Sequence, residues 1–303
     1  MSGGSLPTAD ADAVVAGGTL YVVATPIGNL GDVTLRALET LRSVPLVACE
    51  DTRVTSRLLA RYEIEVRLTS FHARSPVSRL AALIDHLRAG SDLALTTDAG
   101  TPGVSDPGER LVAAWAAEGG RVVPIPGVSA ALAAVMASGI VGPRWTFDGF
   151  LPRSGRDRRE RLARLAADER GAIVYESPGR LLATLRDLVA ACGPDRPAAV
   201  CRELTKLHEQ VVRGPLADLV AAAEDGRIPA RGEVVIVVGE VDLAVTRPRA
   251  GASVVVAAGA DIAAALTEVE ALVEGGAGRA AAARQVAAKT GVPRRQLYRV
   301  GRD

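Results

Sequence analysis

Between residues 19 and 138, short apolar runs alternate with longer amphipathic stretches, and this alternation restricts the possible folds more than any single motif. The runs at 19–24, 45–49, 66–71, 93–97 and 121–125 carry a strand pattern. Stretches at 32–42, 52–61, 76–89, 107–118 and 128–138 carry helical spacing, the first through Val33, Leu35, Leu38 and Leu41. Strand followed by helix, repeated, predicts a mainly parallel sheet with helices on both faces. Gly90, Gly119-Gly120 and Gly139 read as helix stops. Asp106 reads as an N-cap, with Pro107 in the first helical turn.

The pattern restarts near Gly142-Pro143. Strands are expected at 145–150, 172–175, 198–202, 209–212 and 233–238, and helices at 155–167, 178–191 and 215–225, giving a second α/β domain with a mixed sheet. A linker with Pro248 and Gly251 leads to helices at 261–274, 279–289 and 293–300. The expected organisation is therefore a loose tail (1–17), an N-terminal α/β domain (18–142), a second α/β domain (143–240), and a linker with a basic helical extension (241–303).

Composition narrows the class. A hydrophobic share of 48% with 23% charged residues supports a sizeable core and excludes global disorder. A net charge of +1 argues against a strongly basic nucleic-acid binder and leaves local patches open. Cys49, Cys192 and Cys201 form no CxxC pair, and His72, His86 and His208 lack metal-ligand spacing. No disulfide framework, no metal site and a reducing, cytoplasmic setting are expected. Residues 1–17 lack the basic start and apolar core of a signal peptide, and no run approaches the length of a membrane span.

Four loops stand where ligands meet the strand ends of such sheets. The longest, residues 97–108 (TDAGTPGVSDPG), is too polar and irregular to be explained by packing alone. Residues 25–32 (TPIGNLGD) lack the GxGxxG spacing of a dinucleotide fingerprint and read either as a turn or as a binding loop. Residues 124–130 (PIPGVSA) open a helix whose free N–H groups face the ligand side, or form an ordinary turn capped by Ser129. Residues 175–180 (YESPGR) start a helix at Pro178, with Ser177 as the cap.

These loops, together with Glu50-Asp51-Thr52-Arg53 and residues 202–206 (RELTK), resemble the ribosomal small-subunit methyltransferase I family in order and wording from residue 18 to about 240. The resemblance implies a tetrapyrrole-methylase-like α/β fold: two α/β domains with a ligand cleft between them and a small C-terminal helical extension. It also implies S-adenosylmethionine (SAM) as cofactor, and methylation of the ribose 2′-hydroxyl of a decoding-region cytidine in 16S rRNA of the 30S subunit. A homodimer follows from the resemblance alone. Carried over loop by loop, Pro26 and Gly28 form the floor of the cofactor site. Asp98, Ala99, Gly100, Thr101, Val104 and Ser105 surround its methionine end, and Ser129 and Ala130 approach it. Tyr175, Glu176 and the segment from Arg202 supply the adenosine side. After Ser70-Phe71-His72 the chain departs from the family, with Ala73-Arg74-Ser75-Pro76, so His72 reads either as a substrate contact or as a structural histidine.

SAM activates its own methyl group, so the protein's task is to position the reactants. The family-matching motifs offer Glu50, Asp51, Glu203 and Lys206 for handling the acceptor hydroxyl. Glu50, Asp51 and Arg53 are expected to shape the acceptor site, and Lys206, one of two lysines in the chain, to assist at the 2′-oxygen. RNA contact is expected from Arg53, from the cluster Arg153, Arg156, Arg158 and Arg159, and from Arg294 and Arg295 in the tail. Two rival readings are a C-methyltransferase acting on a tetrapyrrole and a non-catalytic ribosome-assembly factor.

Overall fold

A computed structural model describes residues 17–240, 262–290 and Leu297. The first sheet contains β1 (Leu20–Val23), β2 (Leu46–Cys49), β3 (Arg67–Ser70), β4 (Leu93–Thr96) and β5 (Val122–Ile125). Their order is β3-β2-β4-β1-β5 and every pairing is parallel. Both faces are covered, which is why these strands read as continuous apolar runs. On one face Val23, Val47, Cys49, Ala94 and Ile125 pack under α1 (Leu35–Ser43) and α2 (Thr52–Arg61). On the other, Leu20, Ala48, Leu93 and Leu95 pack under α3 (Val77–Arg88) and α4 (Glu109–Ala117).

This order has one functional consequence. Neighbouring strands β1 and β4 send their chains in opposite directions, to β2 and to β5, over opposite faces. The crevice beyond their C-terminal ends is the topological switch point, where open α/β sheets bind ligands. Thr25 and Gly100 close its base by exchanging backbone hydrogen bonds of 2.8 and 3.0 Å.

The second sheet contains β6 (Trp145–Phe150), β7 (Gly171–Glu176), β8 (Pro197–Arg202), β9 (Gln210–Pro215) and β10 (Val234–Val238), ordered β6-β7-β10-β8-β9. Only β6 and β7 run parallel, so the sheet is mixed, as expected. Period-two alternation separates its faces. Ala172, Val174, Ala198, Val200, Val234 and Ile236 face α6 (Gly155–Ala167), α7 (Leu181–Cys192) and α8 (Leu216–Glu224). Ile173, Ala199, Cys201, Val235 and Val237 face the other way, onto Ile27 of the first half and Ala131 and Ala134 of α5 (Ala130–Ser138). Helix α5 thus follows a strand of one sheet and packs on the other.

Several helix starts differ from the expectations. Helix α1 begins at Leu35, because Thr34 accepts the Ala37 N–H and residues 30–32 form a 3-10 turn. Helix α4 begins at Glu109 behind Gly108, whose φ of 135° ends the loop, so Asp106 is not its cap. A Cβ on Gly108 would lie 2.8 Å from Leu95. Helix α7 begins at Leu181, after a 3-10 turn at Pro178–Arg180, and neither Ser129 nor Ser177 makes a side-chain cap. Residues 243–303 form a separate unit, in which helices Ile262–Glu274 and Arg279–Thr290 pack through Val269, Ala283, Val286 and Leu297. Arg294 and Arg295 lie outside the described residues.

Candidate active site

The loop at 97–108 leaves β4 at the switch point and doubles back over the sheet edge. Gly100, Gly103, Ser105 and Gly108 all take positive φ. For Ser105, at φ 64°, that costs about 1 kcal/mol, a strain that persists only where surrounding contacts enforce it. One such contact is the Thr101 hydroxyl, 3.2 Å from the Val128 carbonyl.

Opposite this loop stands the end of β7. The Tyr175 hydroxyl accepts the Ala131 N–H at 3.1 Å, satisfying one of the free donors at the start of α5. Its ring meets Phe147 and Phe150 edge-on, at centroid distances of 4.9 and 5.6 Å. Glu176 is 2% exposed. Its carboxylate accepts from the Ser177 N–H at 2.8 Å and the Thr184 hydroxyl at 2.6 Å, with Arg180 at 3.3 Å.

Between the two lies a cavity of about 350 Å³. Ala99, Gly100, Thr101, Val104, Ser105, Ser129 and Ala130 line it from the first half, and Tyr175 and Glu176 from the second. Phe150, Ser177, Leu204, Val234, Val235 and Asp106, which the sequence reading does not place at the cofactor, are also in the wall. The β10 residues carry no motif and arrive only through sheet pairing. Asp106 stood in a recognised loop but was read as a cap.

A second cavity, of about 420 Å³, adjoins the first across the shared residues Ile27, Ala99 and Glu233. Pro26 and Gly28, expected at the floor of the cofactor site, and Asp98, expected at its methionine end, line this second cavity and not the first. Ala99 lines both cavities, with Asp98 on the side of the second and Gly100 on the side of the first.

Arg202 is also reassigned. It is buried, and its guanidinium donates to Gln210 Oε1 and to the carbonyls of Arg231 and His208, so it holds the second sheet together and lines neither cavity. Arg158 is likewise buried, donating to Asp187, Thr184 and the Pro152 carbonyl, and is removed from the RNA-facing set. Arg153, Arg156 and Arg159 stay exposed, Arg156 paired with Glu160 at 2.5 Å. His72 is exposed, and its Nδ1 accepts the Arg74 N–H.

The carboxylates divide by their surroundings. Asp51 caps α2 and grips Arg53 with both oxygens, which holds its carboxyl at about 2 and rules it out as a base near neutrality. Glu50 is shifted upward by burial, against the hydrogen bond it accepts from the Asp98 N–H. Asp106 is pushed up to about 7 by burial and by the nearby charges of Glu50, Asp98 and Glu233. Burial opposes the charge on Lys206, but Glu203 at 2.9 Å and Glu233 at 3.0 Å outweigh it and hold the ammonium above its usual value. Lys206 is therefore a fixed cation and no proton acceptor. Cys201, in the cavity wall, is driven to about 11 by burial and is no nucleophile. Among the described residues no His, Cys, Asp and Glu group could hold a metal, and no helix is long and apolar enough to cross a membrane.

The profile for Tetrapyrrole (Corrin/Porphyrin) Methylases matches residues 19–220. Ribosomal RNA small subunit methyltransferase I of Synechocystis sp. is 44% identical over 283 residues, covering 93% of this chain and 97% of that protein. The protein of the same name from Bacillus subtilis is 44% identical over 221 residues, covering 73% of this chain and 75% of the relative. Among solved structures, cobalt precorrin-4 methyltransferase superposes with a TM-score of 0.57 at 20% identity, covering 73% of this chain and 94% of that one. Uroporphyrin-III C-methyltransferase from Thermus thermophilus, complexed with S-adenosylhomocysteine, gives 0.52 at 20% identity, with 74% and 98% covered. At such identities these structures speak to the fold alone.

Proposed function

Because the chain belongs to the ribosomal RNA small subunit methyltransferase I family, within the tetrapyrrole methylases, it is a methyltransferase, and we propose that it uses SAM to methylate the 2′-hydroxyl of a decoding-region cytidine in 16S rRNA. The observation that carries this reading is relatedness to an rRNA methyltransferase over 93% of the chain, combined with a cavity at the switch point. The 350 Å³ cavity suits a cofactor of this chemistry. Phe150, Val234 and Val235 offer an apolar wall for an adenine, and Ser105, Ser129 and Ser177 offer hydroxyls. When bound, SAM supplies an electrophilic methyl group on a sulfonium.

The chain's own part is to exclude water, orient the acceptor and take its proton. Asp106 is the carboxylate placed to take that proton. It lines the cavity, and its proton affinity lies near neutral pH, where general bases work best. Exposed Arg153 and Arg159 at the start of α6 grip RNA phosphates without reading sequence. A second copy of the chain covers α5, whose Leu132 and Met136 are 51% and 83% exposed on a helix with no polar face. Sedimentation at micromolar protein checks that dimer.

The test of the activity is transfer of labelled methyl from SAM to 30S particles lacking this modification, alongside free 16S RNA and a tetrapyrrole precursor. Nuclease digestion and mass spectrometry locate the label. The expected product is one ribose-methylated cytidine in the particle. Label on the tetrapyrrole, or SAM binding without transfer, overturns the reading.

A further inference from the structure

We propose that the second cavity receives the acceptor nucleotide, turned out of its RNA strand, with Asp98 accepting a hydrogen bond from the exocyclic amine of a cytosine and Arg57 gripping an adjoining phosphate. The inference rests on the RNA methyltransferase reading and specifies where and how that RNA is read.

Position comes first. The two cavities share Ile27, Ala99 and Glu233, so an occupant of the second abuts an occupant of the first. Methyl transfer needs such contact between donor and acceptor. The remaining walls are distinct. Val54, Arg57 and Leu58 come from α2, which contributes nothing to the first cavity. Val54 and Leu58, four residues apart, share one helix face and with Ile27 and Leu30 make an apolar slot. The volume of about 420 Å³ suits one nucleoside. A nucleotide reaches a pocket of this kind only by leaving its stack, as enzymes acting on single nucleotides require.

Chemistry then selects the base. One oxygen of Asp98 accepts the Asp51 N–H at 2.9 Å, which fixes the carboxylate in the wall. Its other oxygen has no hydrogen-bond partner among the described residues. An ionised carboxylate only accepts. It therefore suits the N4 amine of cytosine and opposes the O4 carbonyl that uracil presents at the same place. Thr97, also in the wall and 1% exposed, has a hydroxyl with no partner among the described residues.

Charge completes the match. Arg57 is exposed at the cavity's edge with no ion pair among the described residues, whereas Arg53 one turn earlier is spent on Asp51. Across the opening, the Lys206 stem lies so close over Gly28 that a Cβ there would sit 2.4 Å from it. Its ammonium bridges Glu203 and Glu233 and closes that side of the slot.

The test uses the full chain and 30S particles reconstituted with cytidine or uridine at the target position. SAM affinity is measured by calorimetry in parallel. Wild type is expected to prefer cytidine. Asp98→Asn should keep SAM affinity within about twofold and bring transfer to the two particles within a few-fold of each other, chiefly by losing about 10- to 100-fold on cytidine. Arg57→Ala should weaken both particles equally and flatten the salt dependence by about one unit. Val54→Phe, which fills the slot without touching the first cavity, should stop transfer while SAM still binds. An unchanged cytidine preference in Asp98→Asn with wild-type SAM affinity, or undiminished transfer by Val54→Phe, overturns this site alone. Wild-type protein that binds SAM but methylates neither particle overturns the RNA reading and the site with it.

Discussion

Of the three carboxylates that line the first cavity, Asp106 and Glu176 are treated in opposite ways by the two halves of the molecule, while Glu233 pairs with Lys206. Glu176, at the end of β7, is saturated by a backbone N–H, a threonine hydroxyl and an arginine. Asp106, in the strained loop beyond β4, has no hydrogen-bond partner among the described residues and sits among three like charges. The second half thus spends its acid on holding its own loop in place. The first half leaves its acid uncompensated, at a cost in stability, where the proposed chemistry occurs.

Removing Glu176 should produce the largest effect on folding. Glu176→Ala removes the acceptor of the Thr184 hydroxyl proton and the carboxylate beside Arg180, and should cost about 3 kcal/mol or more in denaturant unfolding. An Ala variant as stable as wild type would break the contrast.

Asp106→Asn should do the opposite, lowering methyl transfer about 100-fold or more while leaving the fold intact. Wild-type transfer should rise with pH through about 7, the region to which Asp106 is pushed, and the Asn variant should lose that rise. The stability sign is also defined. Between the ordinary carboxylate range and about 7, the unfolded chain has already lost this proton while the folded chain keeps it, so stability falls as pH rises through that window. Asp106→Asn should therefore melt above wild type at pH 8, and the gap should close toward pH 4. A constant gap would show that burial and the charges of Glu50, Asp98 and Glu233 do not raise Asp106 in the folded protein.

Smaller effects sharpen the picture. Tyr175→Phe frees the Ala131 N–H and should cost about 1 kcal/mol, together with weaker SAM binding measured by calorimetry. Arg153→Ala should leave stability unchanged and reduce the salt dependence of particle binding by about one unit.

How much of this could be read in the sequence follows from how local each signal is. The strands were legible because burial on both faces writes continuous apolar runs, as in Leu93–Thr96, and alternation sorts Val234 from Val235. Nine of the residues expected around the cofactor line the first cavity, because glycine-rich loops at strand ends advertise themselves. The misreadings share a cause. Arg158 looked like surface charge because its partner, Asp187, lies 29 residues away. Asp106 looked like a cap because Asp-Pro before a helix has a local meaning, which Gly108 cancelled by turning the chain once more. Asp98 and Gly100 read as one site, since nothing local reveals that the loop divides two adjoining cavities at Ala99.

Helix α5 carries a thermodynamic signature. Its Ala131 and Ala134, with Ile27, already seal the inner face of the second sheet, and the Tyr175 hydroxyl ties down its first turn. Parting the two halves to admit a ligand would return Ile173, Ala199, Val235 and Val237 to water. The cavity is therefore assembled before anything enters it. Calorimetry of cofactor binding should give a heat-capacity change set by the ligand's own buried surface, with no added contribution from closing domains.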